Sequence, residues 1–138
     1  MKLLACFVTL LLAACTHVRD ISRAECAPEG VPGHVTLKRV AYLYESDDAS
    51  ADLLDYQAPG RALLAELPAG TALTVTRVEL RNGFESTFGA VYALGTVDAG
   101  GGRQFEYLWG VHDRITYAPW ESAAYDPRAN HRVVKCGR

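Results

Sequence analysis

The chain has 138 residues, a formal net charge of −2, and a composition that is 49% hydrophobic and 22% charged. That balance supplies enough apolar side chain for one packed domain and excludes a chain disordered throughout. A mildly acidic protein also lacks the basic face that a nucleic-acid binder presents, so nucleic acid is not an expected partner.

Residues 1–14 differ from everything after them. Lys2 gives a positive start, Leu3 to Leu12 form a nearly unbroken apolar run, and the small residues Ala13 and Ala14 lead into Cys15. This is the layout of an export signal. A spanning helix needs about twenty apolar residues, and here Arg19 and Asp20 follow too closely for one. The four residues Leu12-Ala13-Ala14-Cys15 resemble the lipobox of bacterial lipoproteins. The resemblance implies cleavage before Cys15, a diacylglycerol thioether on its sulfur and later acylation of its amine. Two or three chains hold a protein firmly to a bilayer, where one holds it only marginally. In such lipoproteins an Asp after the cysteine signals retention in the inner membrane. Thr16 stands there instead, so the expected location is the outer membrane, facing the periplasm.

Removing the signal takes Cys6 with it, and lipid consumes Cys15. Cys26 and Cys136 remain. Exported domains live where disulfides persist, and two cysteines allow a single intramolecular pairing. That bond would close a loop of roughly 110 residues, for which chain entropy gives at most about 4–5 kcal/mol. Two free thiols or a cysteine metal site are the alternatives. The absence of a CxxC pair, with only His131 close by, argues against metal, and no cofactor is expected.

The expected organisation is a signal peptide over 1–14, a lipidated cysteine and flexible tether over 15–33, and one β-rich domain over 34–138. The tether reading rests on mixed charges and on Pro28, Gly30, Pro32 and Gly33 in quick succession. Val35 to Tyr44 reads as a first strand, with an alternation slip near Arg39 and Val40 that suggests a bulge. Glu45 to Gly60 is polar and reads as a loop, with room for a helical turn around Ala51 to Tyr56. Arg61 to Leu67 reads as strand, Pro68-Ala69-Gly70 as a turn, and Thr71 to Leu80 as an alternating strand. Asn82-Gly83 is a two-residue hairpin signal, after which Phe84 to Val97 continues as strand, bent at Gly89 and Gly95. Residues 99–102 form a turn needing positive φ. Arg103 to Val111 places Phe105, Tyr107 and Trp109 on one face, and an edge strand carrying Cys136 closes the chain. Short strands with frequent turns predict an all-β fold, a small antiparallel barrel or sandwich stapled by the disulfide.

The stretch LLAELPAGTALTVTRVE resembles the bacterial Src-homology-three-like modules, in which a strand, a Leu-Pro-x-Gly-Thr turn and a Val-rich strand recur. The resemblance spans about residues 35–111 and implies a small β-barrel that binds peptidoglycan or peptides. The sequence departs from the pattern after Asn82, so no site residue is carried over.

No G-x-S-x-G elbow, H-E-x-x-H helix or EF-hand loop is present, and the expectation is a non-enzymatic protein. The acidic residues Glu45, Asp47, Asp48, Asp52 and Asp55 offer oxygen ligands but read first as a solvated face. Glu106 and Asp113 could be imagined as a glycosidase pair. Phe105, Tyr107 and Trp109 read as core by strand parity. The competing reading makes Tyr107 and Trp109, with Tyr117 and Trp120, a surface platform for a sugar or peptide. The expected function is a membrane-anchored envelope lipoprotein that binds cell-wall material or an envelope protein. An inhibitor or immunity lipoprotein using a protruding Glu45–Gly60 loop against a cell-wall enzyme is the alternative, and a hydrolase a weaker one.

Overall fold

Side-chain parity explains the longest strand and the sheet it organises. The structure, a computed structural model, describes residues 17–83, 89–98, 101–126 and 132–136. In β6 (Ala72–Asn82) the inward residues are first Leu73 and Val75, then Val78 and Leu80. The parity changes because a bulge between Val75 and Arg77 inserts one extra residue against β7 (Ala90–Val97). Gly95 lies opposite, where a Cβ would come within 2.1 Å of the Thr74 carbonyl oxygen, so only glycine allows the approach. Beyond the bulge, Arg77, Glu79 and Arg81 fall on the outer face and pair with each other there.

β6 carries two short partners, β1 (His17–Asp20) along residues 79–82 and β2 (Gly33–Thr36) along residues 72–75. β7 pairs with β8 (Gln104–Gly110), and β8 runs parallel to β4 (Ala51–Leu54). β4 pairs with β3 (Ala41–Tyr44), and β3 with β5 (Leu63–Leu67). Every pairing except β4 with β8 is antiparallel. β9 (Arg114–Ile115) and β10 (Arg132–Val133) form a separate two-stranded ribbon. The inward rows of β3, β4, β6, β7 and β8 meet in one cluster, so the sheet wraps a single core as a barrel wall does. The described residues contain no helix, and the fold is all-β, as expected.

Cys26 and Cys136 are joined, with their Cα atoms 5.1 Å apart. Both pack against the core. The bond pins the last ribbon strand to the segment between β1 and β2.

Four expectations are corrected. Residues 17–33 lie on the domain instead of forming a tether. β1 is in the sheet, Ile21 is wholly buried, and the Ile21 amide donates to the Val78 carbonyl. Composition hid this because one buried isoleucine and four backbone pairings make no periodic pattern. The strand read over Val35 to Tyr44 is two strands, broken where Leu37 and Arg39 turn into the interior. The loop read over Glu45 to Gly60 contains β4, with Ala51 and Leu53 buried, and no helical turn. Asn82-Gly83 is not a two-residue hairpin, because Arg81 pairs with Ala90, the first residue of β7. The connecting residues 84–88 fall outside the described residues.

Candidate functional site

Alternation along β8 sends Phe105, Tyr107 and Trp109 inward, each 2% exposed or less. Trp120 joins them from the segment after β9. The Tyr107, Trp109 and Trp120 rings meet edge-on, with centroids 5.1 Å and 5.2 Å from Trp120, a geometry that suits the ring quadrupoles. The Trp109 indole N–H donates to the Thr116 carbonyl at 2.9 Å. Three of the four residues read as a candidate platform are therefore core. Tyr117 alone is exposed, and its ring is faced by the Arg132 guanidinium, 4.4 Å away.

On the other side of Tyr107 the interior is polar. Arg39 is 8% exposed. Its guanidinium donates to Asp55 Oδ1 at 2.7 Å and to the carbonyls of Tyr117, Ala118, Ser122 and Ala124. The Tyr107 hydroxyl donates to the second Asp55 oxygen at 2.7 Å. Burial, reinforced by the Asp55 charge, holds the Tyr107 hydroxyl well above its ordinary pKa, so it stays a donor. A buried charge without partners would be costly, and here the two terminal nitrogens meet a carboxylate and four carbonyls, leaving only Nε without a partner among the described residues.

The network sets the exposed surface beside it. Asp55 is followed by Tyr56, Tyr107 by Leu108, and Ala124 by Tyr125. These three neighbours are 52%, 46% and 47% exposed, and all three line one open groove of about 670 Å³. Tyr125 also lies 5.5 Å from the Arg39 guanidinium. Its hydroxyl pKa is raised, by burial first and then by Asp55 and Tyr56. Large apolar side chains held in the open by a rigid polar core are the features of a binding surface. The rim beyond Gly110 is formed by Val111, His112 and Arg114. His112 and Asp113 both adopt left-handed φ, 55° and 56°. For two successive non-glycine residues this stores strain, which clusters at functional sites. They form a turn after β8, and Asp113 is held by its amide to Gly89 and by its carbonyl to Val134.

Tyr117 and Trp120 line a second, larger groove of about 930 Å³ beside Cys26. It is more polar, with Lys38, Glu121 and Arg132 along it. Their charges are engaged, Arg132 with the Glu121 carboxylate and Lys38 Nζ with the Glu121 carbonyl.

The remaining expected chemistry does not converge. Asp52 pairs with Arg61 and Asp55 with Arg39, while Glu45, Asp47 and Asp48 are exposed. Among the described residues no three potential metal ligands gather. Glu106 pairs with Arg81 on the outer face of the sheet, and Asp113 sits in the turn after β8.

The groove was not legible because its residues are scattered, at positions 56, 108 and 125. Two signals were present all the same. Leu108 breaks the polar face of β8, and the alternation slips at Arg39. Compared with known proteins, the chain matches no family model, no curated protein and no solved structure.

Proposed function

We propose that the protein is a lipid-anchored envelope lipoprotein, facing the periplasm from the outer membrane. Its domain is a non-enzymatic binding module that holds cell-wall material or an envelope protein in the Tyr56–Leu108–Tyr125 groove. The observation that carries the reading is that each of these exposed residues follows one fixed by the Arg39–Asp55–Tyr107 network. The groove is thereby pre-organised, which lowers the entropy lost when a partner binds. Tyrosines suit either ligand class, since a ring packs on a sugar face or a peptide side chain and keeps a hydroxyl for hydrogen bonding. The signal layout and Cys15 support the anchor, and the disulfide supports an oxidising compartment.

Two measurements test the reading. Cys15→Ser is expected to move the protein from the membrane to the soluble fraction and to abolish the acyl mass. Wild-type protein recovered soluble and unmodified removes the anchor. For the groove, solubilised peptidoglycan fragments and periplasmic extract are each presented to wild-type protein and to Leu108→Ser/Tyr125→Ser. Binding of either that the double variant loses is expected, with melting unchanged. Equal binding by both proteins rejects the groove.

A further inference from the structure

The sequence alone puts a flexible spacer between lipid and domain, but the fold leaves none. His17 is the first residue of β1, and it lies two residues beyond Cys15. Two Cα–Cα steps span at most about 7 Å. The strand cannot swing away to lengthen that reach. Its four residues pair one by one with Asn82, Arg81, Leu80 and Glu79, and Ile21 behind them is wholly buried.

The attachment point therefore fixes which part of the domain meets the membrane. His17 lies opposite Asn82, the last residue of β6. The Asn82 side chain accepts from the Gly89 amide at 2.8 Å, and the Gly89 carbonyl accepts from the Asp113 amide at 3.1 Å. The start of β1, the end of β6, the start of β7 and the turn after β8 thus form one tied end of the sheet. At about 4.8 Å between strands it is roughly 15 Å wide. The opposite end, where the Val97 amide donates to the Arg103 carbonyl, lies the length of β7 away, about 25 Å.

We infer that this end of the sheet is a lipid-facing surface. With Cys15 acylated, the domain rests on the bilayer headgroups through His17, Asn82 and the His112–Asp113 turn, the exposed and half-exposed residues of that end. The inference builds on the lipid anchor proposed above. Among the described residues the groups offered there are imidazoles, a carboxamide and a carboxylate, which suit the hydrogen-bonding headgroup layer and not the hydrocarbon below it. Because Val111 and His112 also wall the Tyr56–Leu108–Tyr125 groove, the groove mouth stands at the membrane. Its partner must then come within reach of the headgroups.

The test uses the mature, acylated protein on vesicles of phosphatidylethanolamine and phosphatidylglycerol. A nitroxide is attached to the new thiol of His112→Cys or of Arg103→Cys, and Arg114→Cys replaces the first if the strained turn rejects it. The expected result is several-fold protection of the label near the turn from a water-soluble nickel chelate, with the label at position 103 fully accessible. A ten-residue Gly-Ser insert between Thr16 and His17 adds a reach of about 15–20 Å. It is expected to abolish the protection while the protein stays on the vesicles. Equal accessibility of the two labels on vesicle-bound protein overturns the inference. Protein without the acyl mass that never joins the vesicles removes the lipoprotein reading instead, and this inference with it.

Discussion

Tyr107 belongs to two neighbourhoods that are held by different forces. Its ring packs edge-on against Trp109 and Trp120, while its hydroxyl enters the buried ionic network of Asp55 and Arg39. The aromatic side is stabilised by area removed from water, which is large but non-directional. The ionic side adds little net stability, because desolvation offsets most of the attraction. What it contributes is direction. One guanidinium fixes β4 and four carbonyls of the segment from Tyr117 to Ala124 at once. Stability and pre-organisation of the groove are thus assigned to opposite sides of one tyrosine, and substitutions can separate them.

The largest effect is expected on the aromatic side. Trp109→Ala opens a cavity and removes the hydrogen bond to Thr116, at roughly 3–5 kcal/mol, read by denaturant unfolding. A melting temperature equal to wild type would place the ring outside the core. Asp55→Ala should follow at about 3 kcal/mol, because it strands the Arg39 charge. Replacing Arg39 and Asp55 together by Met and Leu is expected to recover much of that loss without recovering ligand binding. Full recovery of binding would show that the network does not set the groove.

An alkaline titration reads the shared residue itself. The Tyr107 pKa is raised in the folded protein. From about pH 10 upward, near the ordinary tyrosine pKa, the unfolded chain releases this proton and the folded one keeps it. Stability is therefore complete below that pH and falls as pH rises above it. In Tyr107→Phe this part of the fall should vanish, and an unchanged alkaline profile would show the hydroxyl to be solvated. The smallest effect belongs to the groove surface. Leu108→Ser should change stability by no more than about 0.5 kcal/mol, so a larger loss in thermal unfolding would make Leu108 a packing residue.

What the sequence reveals follows the same division. β8, β6 and the disulfide were legible because strand parity and cysteine counting report local periodicity and pairing arithmetic. β4 was not, since Asp52 and Asp55 make it look solvated and their partners Arg61 and Arg39 are distant or hidden by an alternation slip. β1 was missed for a related reason. A short strand whose exposed side chains leave only Ile21 to mark its burial carries no period to detect. The groove combines both difficulties, since it is built from residues that such unread segments present.

The parallel pairing of β4 with β8 has a consequence in time. Ala51 sits against Phe105, 54 positions later, and no local turn brings them together. Loop closure of that length opposes the contact until the meander of β6, β7 and β8 has formed. A chain synthesised from its N-terminus must therefore hold β3 and β4 unfinished while the rest emerges. We expect the Arg39–Asp55 contact to form after the β6–β7–β8 meander, which predicts low φ-values at Asp55 and higher ones along β7.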